Sequence, residues 1–118
     1  MNPNVVVIDD ELLIRKSLTK VLRARGYRVE TAATGSAGVE LVERIRPQVA
    51  ILDMRLPDTD GVELLRRIRV THPDLPVIIT TAYMSIEPQL KVLDLPHSGY
   101  IVKPFRLDEL GARIDAVV

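Results

Sequence analysis

The stretch VAILDMRLPDTDG, residues 49–61, decides how this chain folds. Its first four residues, Val49 to Leu52, are apolar without a break, which suits a short strand covered on both faces rather than one with a wet side. Asp53 ends the run, Pro57 and Gly61 mark a turn, and Asp60 with Glu63 can form a capping pair that opens a helix. That helix carries Val62, Leu65 and Ile68 as one apolar stripe at helical spacing, and Pro73 follows it.

The same unit recurs on both sides. VVVI (Val5 to Ile8), YRVETA (Tyr27 to Ala32), VIIT (Val77 to Thr80) and YIV (Tyr100 to Val102) read as further strands. Between and after them, Ile14, Leu18, Val21 and Leu22, then Ala37, Leu41 and Ile45, and finally Leu107, Leu110, Ile114 and Val117 form helical stripes. Gly26 follows the first helix and Pro47 the second. Five beta-alpha units with right-handed crossovers predict an α/β fold, a flavodoxin-like, doubly wound (βα)5 three-layer sandwich with parallel strand order 2-1-3-4-5. No linker interrupts residues 1–118, which are read as one domain.

Bulk composition narrows the function. A chain of 118 residues, 47% hydrophobic and 27% charged, has the make-up of an ordinary globular domain with one core. Sixteen Lys and Arg balance 16 Asp and Glu, so no basic field exists to hold a phosphate backbone, and direct nucleic-acid binding by this segment is not expected. The absence of Cys excludes disulfides, thiolate zinc sites and a thiol nucleophile. The first apolar run is too short for a signal peptide or a membrane span, and the chain is read as cytoplasmic.

In a sheet of this type ligands bind beyond the carboxyl ends of the strands, at the switch point between the first and the third. The residues expected there are Asp9 and Asp10 after the first strand, Asp53 after the third, Thr81 after the fourth and Lys103 after the fifth. After the second strand come only Ala32, Ala33 and Thr34. Each residue alone has a structural explanation: Asp10 could cap a helix, Asp53 open a turn, Thr81 end a strand, and Lys103 be a solvated charge. Together they form an acidic pocket in which each like-charge pair repels by roughly 4 kcal/mol at about 4 Å. A hard divalent ion with oxygen ligands relieves that repulsion, and Mg2+ suits a site of few carboxylates that also takes a phosphoryl oxygen. The Asp53 carboxylate could then attack phosphorus in line, with Lys103 neutralising one phosphoryl oxygen and the Thr81 hydroxyl donating to another.

VVVIDDE, ILDMRLPDTDG, TTAY and YIVKPF, in this order and spacing, resemble the successive signatures of response-regulator receiver domains, over the whole chain. The resemblance implies a phosphoacceptor domain of a two-component system, a signalling receiver rather than an enzyme with an external substrate. Asp53 would be the acceptor. Asp10, Asp53 and the Met54 backbone carbonyl would bind Mg2+ directly, and Asp9 directly or through a water. Thr81 and Tyr100 match the switch positions; the lesser alternative for Tyr100 is a half-buried aromatic packed on the last helix. Lys103-Pro104 resembles the family's cis peptide. The implied partners are a histidine kinase or phosphotransfer protein, and an output domain or downstream protein. The face made by the fourth helix, fifth strand and fifth helix would change, and could carry a homodimer.

Some features depart from the family pattern or stay open. Pro88 is tolerable in a first helical turn whereas Pro96 should stop the fourth helix, which is expected to be short, shifted or mobile, and LPHSG stands where relatives more often carry Gly-Ala. Arg55 and Tyr83 occupy positions that in relatives tune the phosphoryl lifetime. His72 and His97 sit beside prolines and read as surface residues. Three rivals remain: an aspartyl phosphohydrolase, which wants an acid where Arg55 stands; a flavin module, whose phosphate the acidic first turn would repel; and an interaction domain that signals without phosphorylation. Val118 falls where a last helix could end, which leaves open whether the chain stands alone or belongs to a longer regulator or hybrid kinase.

Overall fold

A computed structural model of the chain describes residues 2–82 and 98–118. Strands β1 (Asn4–Ile8), β2 (Arg28–Ala32), β3 (Val49–Asp53), β4 (Val77–Thr81) and β5 (Ser98–Val102) occur with helices α1 (Leu12–Ala24), α2 (Gly35–Ile45), α3 (Gly61–Thr71) and α4 (Leu107–Val117). The segment expected to hold a further helix, with Tyr83, Pro88, Pro96 and His97, lies outside the described residues, so α4 is the helix counted as fifth above. All strand pairs are parallel and the order is β2-β1-β3-β4-β5, as the sequence predicts. None of the described helices is long and apolar enough to cross a membrane.

The apolar runs form strands because both of their faces are covered. Val5, Val7, Val29, Val49, Ile51, Ile78 and Ile101 pack with Leu18 and Leu22 of α1 and Leu110 and Ile114 of α4. Their neighbours Val6, Ile8, Ala50, Leu52, Val77 and Ile79 pack with Val42 of α2 and Leu64, Leu65 and Ile68 of α3 on the other side. Alternate residues of one strand thus feed two cores, which is the three-layer arrangement.

Boundaries differ in ways that matter for the site. Asp53 and Thr81 are the last residues of β3 and β4 rather than the first beyond them. The ladder extends that far because Met54 N–H donates to Thr80 O at 2.9 Å and Lys103 N–H to Thr81 O at 2.6 Å. Tyr27 instead falls before β2, since its N–H closes the end of α1 on Leu22 O at 3.1 Å. The turn ahead of it is made by Gly26 at φ +95°.

In helix α2 the expected stripe of Ala37, Leu41 and Ile45 packs against the core but is only partly buried, and the centre of the buried face is Gly38 with Val42. Glycine is easily missed in a search for apolar periodicity, yet here it brings the helix close to the sheet: a Cβ on Gly38 would lie 2.3 Å from Ile8 Cδ1 and 2.7 Å from Ile8 Cγ1. Alanine would gain about 1 kcal/mol of helix propensity, and the overpacking would cost more, typically 1–3 kcal/mol. Gly38→Ala should therefore lower stability in urea unfolding, and Ile8→Val added to it should recover most of the loss. A Gly38→Ala protein as stable as the parent would show that Ile8 moves aside freely.

Candidate functional site

Strands β1 and β3 are neighbours at the centre of the sheet, and their carboxyl ends meet at the switch point. Asp9 extends β1, its N–H donating to Ala32 O at 3.0 Å. Its side chain folds into the crevice, and Oδ1 accepts from the Glu11 N–H at 2.8 Å. Arg15 reaches back from α1 and donates through Nη1 to the Asp9 carbonyl at 2.7 Å. Asp10, next in the chain, is exposed. The cap of α1 is Glu11, whose side chain makes no capping bond, so capping by Asp10 is not what the structure shows.

Asp53 ends β3 beneath this turn. One carboxylate oxygen from each of Asp9, Asp10 and Asp53 falls within 4.8 Å of the others, a grouping that could hold a metal ion. Lys103 enters from the far side, with Nζ 3.1 Å from Asp53 Oδ1, 3.6 Å from Asp9 Oδ2 and 4.0 Å from Glu11 Oε1. The Lys103-Pro104 bond that follows β5 is cis. Asp53 is buried without being sealed, its side chain keeping 8% of its surface exposed.

The other expected residues surround this group. Thr81 is fully buried at the end of β4, the strand between those that carry Asp53 and Lys103. The Met54 carbonyl accepts from the Gly61 N–H at 2.7 Å, which leaves its second lone pair open. Tyr100 is half-buried and packs on the core shared with α2 and α3. Its backbone is also tied to α4, the carbonyl accepting from Arg113 Nη1 at 2.6 Å. Arg55 is exposed, and its backbone pairs with that of Asp60 in an isolated antiparallel bridge. His72 is at the opposite end of α3, with Nδ1 2.9 Å from Thr71 Oγ1. Sequence reading missed Glu11 as a neighbour of Lys103, although a third acid directly after Asp9 and Asp10 was a visible signal.

Charge in this crevice is poorly compensated. Burial pushes the Asp53 carboxyl pKa up, and the hydrogen bond and charge of Lys103 offset that only in part. Asp9 is likewise raised, first by burial and then by the charge of Asp53, against the Glu11 N–H bond. For Lys103 burial favours the neutral amine, but its bond to Asp53 and the charges of Asp53, Asp9 and Glu11 outweigh this and raise the pKa. A group whose pKa is higher folded than unfolded favours the native state in its protonated form. Its contribution is present below the unfolded value and lost as pH rises through the native one. At neutral pH, Lys103 therefore still stabilises the fold, whereas ionised Asp9 and Asp53 oppose it.

Comparison with known proteins agrees with the geometry. The family described as the response regulator receiver domain matches residues 5–115. The response regulator MprA of Mycobacterium leprae is 40% identical over 114 residues, which cover 97% of this chain and 50% of that protein. The chain thus spans about half the length of the curated relatives it matches. Among solved structures, the chemotaxis response regulator CheY4 of Vibrio cholerae has a TM-score of 0.90 at 28% identity, covering 100% of both chains. A CheY-like response regulator receiver domain protein of Methanospirillum hungatei also has a TM-score of 0.90, at 31% identity over 98% of this chain and 93% of that one.

The electrostatics generate a direct test. With divalent ions removed by a chelator at pH 7.5, Asp53→Asn should melt roughly 2–5 °C above the parent, an effect on the order of 1 kcal/mol. The gap should narrow as pH falls through the raised native pKa of Asp53. A variant that melts lower at pH 7.5 would mean that Lys103 more than compensates the buried charge.

Proposed function

This chain belongs to the response regulator receiver domain family of two-component signalling proteins, and from that premise we propose that residues 1–118 form one receiver domain that takes a phosphoryl group on Asp53. The observation that carries this reading is the meeting of three carboxylates and one ammonium at the switch point of the sheet. The donor is a histidine kinase or phosphotransfer protein, or a small phosphodonor, and the result is a change of state passed to an output domain or downstream protein.

Asp9, Asp10, Asp53 and the Met54 carbonyl are the groups that would hold Mg2+. The ion would supply positive charge where the incoming phosphoryl group brings more negative charge. Three close carboxylate oxygens and two raised carboxyl pKa values fit such a cation, because charge that opposes folding in its absence becomes favourable in its presence. A carboxylate oxygen of Asp53 attacks phosphorus in line, the bond to the donor nitrogen or oxygen breaks, and an acyl phosphate forms. Lys103, already 3.1 Å from the acceptor, transfers its ion pair to a phosphoryl oxygen. The Thr81 hydroxyl donates to another, drawing the end of β4 towards the site.

Tyr100 is the second switch residue in this reading, moving as Thr81 moves. The responding face includes β5 and α4 together with residues outside the described set, and it is where a homodimer or output contact would form. Docking of the donor is served by an apolar groove of about 520 Å³ beside Lys103, with Leu13, Pro104, Phe105 and Leu107 in its lining. Leu13 leaves 75% of its surface exposed there. The phosphohydrolase alternative lacks its acid, since Arg55 stands two residues beyond Asp53.

Adding Mg2+ at about ten times its dissociation constant should stabilise the fold by roughly 1.4 kcal/mol, read as a higher melting temperature at pH 7.5. The rise should shrink as pH falls through the raised native pKa values of Asp9 and Asp53. Superimposed melts at pH 7.5 would remove the metal site. Treatment with acetyl phosphate and Mg2+ should add one phosphoryl group by intact mass, and Asp53→Asn should abolish it. Modification that persists in Asp53→Asn would move the acceptor elsewhere.

A further inference from the structure

The loop from Asp53 to α3 is fastened at both ends: Met54 to Thr80 O at 2.9 Å and to Gly61 N–H at 2.7 Å, and Asp60 Oδ1 to the Glu63 N–H at 2.8 Å. Its crest is fastened to a different element. Asp58 Oδ1 accepts from the Gly35 N–H at 2.8 Å and Oδ2 from the Ser36 N–H at 3.0 Å. These are among the first N–H groups of α2, which have no acceptor within their own helix and sit at its positive end. Helix α2 already has a cap, since Thr34 Oγ1 accepts from the Ala37 N–H at 3.2 Å. Asp58 engages different donors, and from another segment of the chain. Gly35 makes the contact possible, because a Cβ there would lie 2.4 Å from Thr59 Cγ2 and 3.2 Å from Asp58 Oδ1. Although Asp58 is exposed, the Gly35 and Ser36 bonds hold its carboxyl below the usual range, so both oxygens are committed.

We propose that Asp58 is a positioning residue for the acceptor site: by clamping the loop crest onto α2, it sets where the Met54 carbonyl and the Arg55 backbone stand relative to the Asp53 carboxylate. The inference rests on the acceptor reading above, and it adds a residue that touches neither metal nor phosphoryl group. Without the clamp, the described hydrogen bonds of the crest from Pro57 to Thr59 are internal to the loop, Leu56 N–H to Thr59 O at 3.1 Å and Thr59 Oγ1 to Asp60 O at 3.5 Å. Met54 then holds its carbonyl less firmly, and a ligand that must be oriented on binding binds less well.

The test compares Asp58→Ala, Asp58→Asn and Thr34→Ala with the parent chain, using Mg2+ affinity by calorimetry and amide exchange at Gly61 in the metal-free protein. Thr34→Ala weakens the same helix end without touching the loop. Asp58→Ala should weaken Mg2+ binding about tenfold, the lower end of what loss of a supporting hydrogen bond around a metal ligand does. It should also speed Gly61 exchange. Asp58→Asn, which keeps one acceptor oxygen, should fall between, and it serves alone if the alanine variant does not fold. Thr34→Ala should leave both readouts near the parent values. If Thr34→Ala matches Asp58→Ala, or if neither changes Mg2+ affinity, Asp58 is only a helix cap and the proposal is overturned. Should the parent itself not bind Mg2+, the acceptor reading falls and takes the clamp with it; with a parent that binds, failure touches the clamp alone.

Discussion

Two buried carboxylates share one ammonium, and the rest of the molecule is arranged around that imbalance. Asp9 and Asp53 keep only 2% and 6% of their surface, and Lys103 is the one described lysine placed to pair with both. Unit charges about 5 Å apart at an effective dielectric near 20 repel by roughly 3 kcal/mol, a sizeable fraction of the 5–15 kcal/mol by which a domain of this size is usually stable. Only a stiff frame holds such groups together. It is supplied by β1 and β3, whose apolar residues are almost wholly buried between two helical layers and whose register pairs Ile8 with Leu52, so that Asp9 and Asp53 follow side by side.

The frame is also tied at the end of the molecule away from the site. Asp115 of α4 accepts from both the Tyr27 hydroxyl and the Arg25 guanidinium, joining the end of α1 to α4 at the opposite end of the molecule from Lys103. Burial, with the hydrogen bond and charge of Asp115, pushes the Tyr27 phenol pKa up to about 12, so the clamp keeps its proton at any physiological pH. Gly111 leaves room for the Arg25 side chain to cross α4 closely. A helix held at its far end while its first residues follow Lys103-Pro104 can respond to the site without detaching from the core.

Much of this was legible in the sequence because it depends on patterns of short range. Uninterrupted apolar runs announced strands buried on both faces, and acids, a hydroxyl and a lysine at their ends announced a site once the topology brought those ends together. Asp60 was readable as a cap for the same reason. What could not be read depends on packing between distant segments. The buried face of α2 is centred on Gly38, which carries no hydrophobic signal and matters only because Ile8 lies opposite. Asp53 and Thr81 belong to their strands because of hydrogen bonds between neighbouring strands of the sheet, which a linear pattern cannot show. The face on which Tyr100 packs follows from strand alternation, yet choosing between α4 and the opposite layer required knowing that Ile101 points to α4.

The same imbalance explains why a half-buried lysine is useful at this position. In the metal-free protein Lys103 lowers the cost of Asp53 without removing it, as the raised pKa of Asp53 shows. A perfectly compensated pair would hold its lysine and leave little to gain from a cation or a phosphoryl group. An uncompensated pair of acids would drive the strand ends apart. With one ammonium between two carboxylates the site stays folded and still favours added positive charge. If a phosphoryl group is transferred to Asp53 as proposed, the ion pair would have a stronger acceptor to move to, and the Thr81 carbonyl, which accepts from the Lys103 N–H, would couple that movement to the end of β4.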